Sequence, residues 1–436
     1  MEPRLQTLVV SGARPWGLDP CRDLHIREGR IASDSELVPD ALSLAADGRI
    51  VLPGLINVHA HLDKVLLAER IENVSGTIAE ARAKMKEAKA SFAVSDVKQR
   101  ADKVLRRSVQ DGISAIRTHV DVDPIVGLRG LEALLSLRDE MSPVLDLQIV
   151  VFPQEGIAEQ PGTEDLMREA LRMGADVVGG HLSIARDQQA LKKQIDTVFR
   201  LATAFDKDID VHVDFDVDRD YGREVSLHAD GWEYPDGLGT VHLAERTIAD
   251  GYQGRVAASH LCALDSLPQR LRMNVMDLIL RANLAVIALP ASNMYVHGRN
   301  DLTGTRRGIT RLRELQSAGV RVAVGTDNIR DPFNPYVNTD LIGHAVFTAL
   351  ACHFVTSKDF LTVLRLHTEA AAGIMGLKSY GLGPGCVADL VVFEAHSLED
   401  LLDGAQERRW VLKRGKLVAE ADVRRHLYID RDESNE

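Results

Sequence analysis

The chain has 436 residues, 45% hydrophobic and 27% charged, which suits one large barrel with a satellite domain, or two or three ordinary domains, and argues against disorder. Its 52 Lys and Arg against 64 Asp and Glu leave a net charge of −12, which opposes binding to nucleic-acid phosphates and to anionic lipid. The four cysteines, Cys21, Cys262, Cys352 and Cys386, are scattered and form no CxxC pair, as expected of reduced core thiols rather than a disulfide framework.

From about Leu5 to Val51, short alternating segments with turn residues between them (LQTLVVSGA, DLHIREGRIA, LSLAADGRIVLPG) predict small β structure. This region lacks the basic and long apolar segments of a secretion signal, and no apolar run approaches the roughly eighteen residues of a membrane span. A cytoplasmic location is expected. The middle of the chain changes character, with eight strand-like runs in order: LINVHAH, ISAIRTHVDV, LQIVVFPQ, ADVVGGH, DIDVHVD, RVAASH, LAVIALPAS and VRVAVGTDN. Between them, windows such as DVKQRADKVLRRSVQDG and LKKQIDTVFRLATAF carry the i, i+3, i+4, i+7 spacing of helices packed by one face. Strands buried on both faces and alternating with helices predict a parallel sheet, and eight such units predict closure into a (β/α)₈ TIM barrel rather than an open doubly wound sheet. After the barrel, CVADLVVFEA and RWVLKRGKLVAE return to strand patterning, with a hairpin turn at Arg414-Gly415-Lys416. The expected organisation is a small β-sandwich domain from residues 1–53 and 378–430, a barrel from 54–377, and a frayed tail at 431–436.

The polar residues at the strand ends carry the chemistry. His59 and His61, His119, Gln154, His181, His212, His260, Asn293 and Asp327 are each expected at the C-terminal edge of a strand, and closure would bring them to the face where barrels keep their active sites. His59 and His61 lie two apart on a strand, so both imidazoles point the same way, into the mouth. With His212 and Asp327 they offer three nitrogens and one carboxylate to a single ion, leaving a position open for water. A cation held there would lower the pKa of coordinated water towards neutrality, so a hydroxide nucleophile needs no serine or cysteine. The fourth strand, ADVVGGH, has no lysine to bridge a second ion, so one divalent metal is expected: zinc or iron, with manganese as a third possibility. His260 is read as the residue that polarises the substrate and holds the attacking water. Asp121, Asp123 and Asp331, just beyond ligand positions, are read either as carboxylates that orient imidazoles or, each taken alone, as loop caps. Trp232, in a long connection after strand five, is read either as a lid over a planar ring or as loop packing.

These residues resemble the amidohydrolase superfamily and, within it, the cytosine deaminase group. The likeness lies in VLPGLINVHAHLDK, IRTHVDVD, VVFPQEG, DIDVHVD, VAASH, GTDNIRDPFNP and NMYVHGRNDLTGTRRGITRLREL, with GLGPGCVADLVVF similar to the return of the superfamily's β-sandwich. The resemblance implies metal ligation by His59, His61, His212 and Asp327, catalytic assistance from His260, and a heterocycle edge read by Gln154. One position departs from the pattern: cytosine deaminases carry a proton-shuttling glutamate where this chain has Phe215. Either Asp214, Asp216, or Asp327 with His260 takes over the shuttle, or the substrate needs no such ring protonation. HAHLDK, IRTHVDVD, GYQGRV and DNIRD also resemble the N-isopropylammelide isopropyl amidohydrolase group, which lacks that glutamate and whose lysine after the HxH motif matches Lys64; the match implies that Lys64 binds an anionic or carbonyl-rich ring, the alternative being a surface or ion-pairing lysine near Asp63. The implied activity is hydrolysis of an exocyclic amine or alkylamine on a small N-heterocycle by metal-bound hydroxide, in a homo-oligomer without nucleic-acid or membrane partners. Hydrolysis of a cyclic amide or carbamate at the same site, and a catalytically silent barrel scaffold, remain open alternatives.

Overall fold

The computed structural model describes residues 7–33, 41–217, 224–402, 407–424 and 426. The tail expected at 431–436 lies outside the described residues. Eight parallel strands form the centre: β1 Leu55–Ala60, β2 Ile113–Asp121, β3 Asp146–Phe152, β4 Val177–His181, β5 Asp208–Val213, β6 Val256–His260, β7 Ala285–Ala288 and β8 Arg321–Val324. Each pairs with its sequence neighbour, and a parallel bridge between Ala60 and Asp327 joins the last strand's end to the first. The TIM barrel read from the sequence is therefore the fold. Helices fall in the predicted windows, among them Val94–Gln110, Thr163–Arg172 and Gln188–Phe205, each burying one stripe against the strands. At one end of the barrel, Ala115, Ala257, Ala285 and Ala323 cluster with Ala371 and Ile374 of helix Glu369–Met375, since small side chains leave room for a helix to close the interior.

The terminal segments form one mixed sheet. Its order runs Lys416–Glu420, Arg408–Lys413, Leu390–Phe393, Ile50–Pro53, Leu8–Pro15, Arg22–Arg27 and Arg30–Ile31, with Leu42–Ala45 beside Leu8–Pro15. Strands from both ends of the chain thus share hydrogen bonds, as Leu390 to Val392 do with Val51 to Pro53. The hairpin turns on two residues only, Arg414 and Gly415, both at positive φ (48° and 72°), and Lys416 is already in the strand. Gly415 is required there twice over, because a Cβ would also meet Ile26 Cγ2 at 2.7 Å.

Two strand-end expectations shift. The seventh strand stops at Ala288, and Pro290 opens a short helix, Pro290–Val296, because its missing N–H and fixed φ suit a first helical turn. Asn293 therefore stands on that helix rather than on a strand. His119 sits inside β2, two residues before its end, and is fully buried below the rim. The cysteines are free thiols, as expected, but Cys21 is exposed and only Cys262 is fully buried. No helix among the described residues is long and apolar enough to cross a membrane.

Candidate functional site

Period-2 geometry carries His59 and His61 off the end of β1 towards the mouth of the barrel. From the opposite side, Asp327 N donates to the His59 carbonyl at 2.9 Å. That approach depends on Gly325, since a Cβ there would meet His59 Cβ at 2.7 Å and the His59 carbonyl oxygen at 2.9 Å. His260 (φ 78°) and Asp327 (φ 63°) both adopt left-handed backbone, a strained conformation held at the point where their side chains turn into the cavity.

The four side chains converge. His61 Nε2 is 3.2 Å and His59 Nε2 3.6 Å from Asp327 Oδ1, and His212 Nε2 is 3.3 Å from His61 Nε2. Tetrahedral ligands at about 2.0–2.1 Å from a zinc-sized ion are about 3.3–3.4 Å apart, so the observed spacing fits a single cation. His59 Nε2 is buried and has no hydrogen-bond partner. Its other nitrogen explains why this one is bare: the Ser259 hydroxyl, 3.1 Å away, donates to Asp210 Oδ1 at 3.2 Å and so must accept from His59 Nδ1–H. That tautomer leaves the Nε2 lone pair free for a metal. Burial holds His61 and His212 well below the ordinary histidine value, and at His61 the Lys64 ammonium adds to this. Burial pushes Asp327 up, but the neighbouring His59 and His61 side chains outweigh it and hold the carboxyl well below its usual range. Neutral imidazoles around an ionised carboxylate are the protonation states that a divalent cation requires.

Above this cluster lies a cavity lined by His61, His212 and Asp327 and by Gln154, His181 and His260. Asn293 Oδ1 accepts from His260 Nδ1 at 2.9 Å, which fixes the ring and frees its Nε2. His181 Nδ1–H donates to the Gln154 carbonyl at 2.8 Å. Burial, reinforced by nearby positive charge, lowers His181 to about 3; burial lowers His260 to about 4. Phe215 closes another side, its ring edge-on to His260 at 4.9 Å and 4.4 Å from the His297 ring.

Five expected site residues go elsewhere. Asp214 caps helix Gly239–Ala249, its two oxygens accepting from Gly239 N at 2.8 Å and Thr240 N at 2.9 Å, so it does not face the cavity as a shuttle. Lys64 is fully buried and pairs with Asp121 at 2.5 Å, so it neighbours His61 instead of reaching a substrate. His119 stacks on His59 at 4.0 Å and lies 3.4 Å from Asp210, beneath the site rather than along the cavity. Asn293 acts through His260, and Trp232 stands 46% exposed between strands Val225–Leu227 and Glu233–Pro235, outside the cavity lining. The carboxylates expected to orient imidazoles also do other work. Asp121 and Asp123 pair with lysines, and Asp331 accepts from Asn328 Nδ2 and Phe333 N, shaping the loop that carries both residues into the cavity. The orienting group is Ser259, which the sequence shows only as the residue before His260. Arg82, Ile78 and Phe333 also line the cavity, from connections whose path no periodicity foretells.

The amidohydrolase family model matches residues 66–419. A pterin deaminase of Rhizobium rhizogenes is 31% identical over 373 residues, covering 85% of this chain and 80% of the relative. An N-isopropylammelide isopropyl amidohydrolase of Pseudomonas sp. is 27% identical over 424 residues, 95% of this chain and 98% of the relative. Among solved structures, 5-methylcytosine deaminase from Klebsiella pneumoniae bound to 5-fluorocytosine superposes with a TM-score of 0.87 at 29% identity, covering 97% of this chain and 99% of that one. A family match spanning most of the barrel, on a fold and a His/Asp cluster reached independently from the residues, makes this chain a member of the amidohydrolase family.

Proposed function

We propose that this protein hydrolyses an exocyclic C–N bond, to an amine or alkylamine, on a small N-heterocycle such as a pyrimidine, triazine or pterin. The observation that carries the reading is the meeting of His59, His61, His212 and Asp327, three of which (His61, His212 and Asp327) open onto a cavity that aromatic and amide side chains also line. These four would hold one divalent cation, zinc, iron or manganese. When bound, it supplies Lewis acidity and makes water nucleophilic at neutral pH.

The protein groups do the rest. Gln154 offers an amide to the ring edge, and Phe215 presents a face on which a planar ring lies. His260, kept neutral by burial and held by Asn293, positions the attacking water with its free Nε2. Asp327, ionised, takes the proton that water releases and returns it to the departing amine, so the overall change is C–N plus H₂O to C=O plus amine. Phe215 cannot move protons, both Asp214 oxygens are committed to a helix cap, and Asp216 is exposed on an outer cleft rather than in the inner cavity, which leaves the proton traffic to Asp327 and His260. The relatives' printed activities, pterin deaminase, N-isopropylammelide isopropyl amidohydrolase and 5-methylcytosine deaminase, support this substrate range.

Release of ammonia or amine, screened over a panel of aminated pyrimidines, triazines and pterins, tests the reading. Turnover of at least one ring, abolished by a chelator and restored by zinc, iron or manganese, is expected. No turnover across the panel by metal-loaded protein would contradict it.

A further inference from the structure

Helix Ile78–Lys89, in the connection between β1 and β2, carries two basic residues seven positions apart, and hence on one face. Their surroundings differ completely. Lys89 is fully buried among Asp121, Asp123 and Glu155, at 3.3, 2.6 and 2.9 Å. Arg82 has no hydrogen bond or ion pair among the described residues, and its Nε is buried without a partner. Other arginines with a buried bare nitrogen are satisfied through another: Arg100 by Asp96, Arg311 by Asp265, Arg409 by Glu394, Arg14 and Arg129 by carbonyls. Only Arg82 of this group also lines the cavity.

Its position there is specific. Arg82 borders the inner cavity and also an outer cleft, which share Ile78, Phe215 and Val296 as well. The acids nearest to it are occupied or peripheral: Glu155 pairs with Lys89, and Asp216 is an exposed residue of the outer cleft. A half-desolvated guanidinium without an acceptor is costly unless a ligand supplies one, and its planar fork matches a carboxylate through two parallel hydrogen bonds. Among the described residues, Arg82 is the one arginine or lysine lining the inner cavity, so a carboxylate's single negative charge balances it there; the outer cleft carries both signs, with Arg299 as well as Asp216 and with Asp301 paired to Arg306.

We propose that Arg82 is a specificity-determining residue that binds a carboxylate carried by the substrate ring, on the edge turned from the cation cluster towards the outer cleft. The substrate class is thus a carboxylated amino-heterocycle, an inference that rests on the heterocycle reading above.

The test compares metal-loaded wild type, Arg82→Met and Arg82→Lys on matched pairs: cytosine with cytosine-5-carboxylate, and pterin with pterin-6-carboxylate. For at least one pair the wild type favours the carboxylated ring at least tenfold in kcat/KM. In Arg82→Met that ratio falls by about 100-fold, through KM rather than kcat, and Arg82→Lys recovers only part of it. A ratio unchanged by both substitutions, or a wild type with no preference in either pair, overturns the assignment. If no ring is turned over, the hydrolase reading has failed on its own, and calorimetric binding of the same carboxylates decides for Arg82. Binding weakened at least about 30-fold in Arg82→Met upholds it; equal binding, or none in wild type, overturns it.

Discussion

Two buried polar clusters lie side by side at the mouth of this barrel, and they have opposite characters. One is the ion network of Asp63, Lys64, Lys89, Asp121 and Asp123, in which each lysine faces at least two carboxylates. The other is the set of His59, His61, His212 and Asp327, equally buried, in which His59 Nε2 has no hydrogen-bond partner, two ring nitrogens crowd a single carboxylate and the third lies against His61. Burial and charge alone do not separate them. The kind of group does: a network in which lysines lie between carboxylates holds backbone in place, whereas imidazole nitrogens gathered on one carboxylate, with His59 Nε2 bare, are built for something they do not themselves contain. The same contrast recurs along one helix in Lys89 and Arg82.

The contrast can be broken by experiment. If the lysine network is structural, Lys89→Met leaves three carboxylates short of their cation and costs about 3–5 kcal/mol, read by urea unfolding. A loss under about 1 kcal/mol would mean that the network is not holding the loops after β2 and β3. A smaller effect is expected at the boundary between the two clusters. Ser259→Ala removes the acceptor that fixes the His59 tautomer, and should weaken metal affinity by about 10–100-fold while the fold persists. Unchanged affinity in that variant would show that His59 is oriented by its backbone alone.

How much of this was legible in the sequence follows from which signals are local. Strand and helix periodicity, and the HxH spacing of His59 and His61, depend on neighbours a few residues apart, so the barrel and its convergent ends could be read directly. His212 and Asp327 were reachable because strand ends in a closed barrel must meet. Asp214 was misplaced because a carboxylate after a strand reads alike whether it faces the cavity or caps the next helix; the Gly239 and Thr240 amides that claim it lie 25 and 26 residues away. Lys64 stays open between ring binding and ion pairing for the same reason, since Asp121, which with Asp63 makes it an ion-pairing lysine, is 57 residues distant. Arg82 carried no signal at all, since the meaning of an unpaired arginine lies in what fails to surround it.

The central claim is that four side chains from β1, β5 and the end of β8 hold one divalent ion. Equilibrium dialysis of metal-stripped protein against zinc, followed by elemental analysis, measures this directly in wild type and in Asp327→Asn, with circular dichroism confirming that both are folded. The account predicts one equivalent in the wild type and a loss of affinity of at least about 100-fold in the variant. Wild-type protein that binds no zinc, iron or manganese, or an Asp327→Asn protein that binds as tightly, would contradict it.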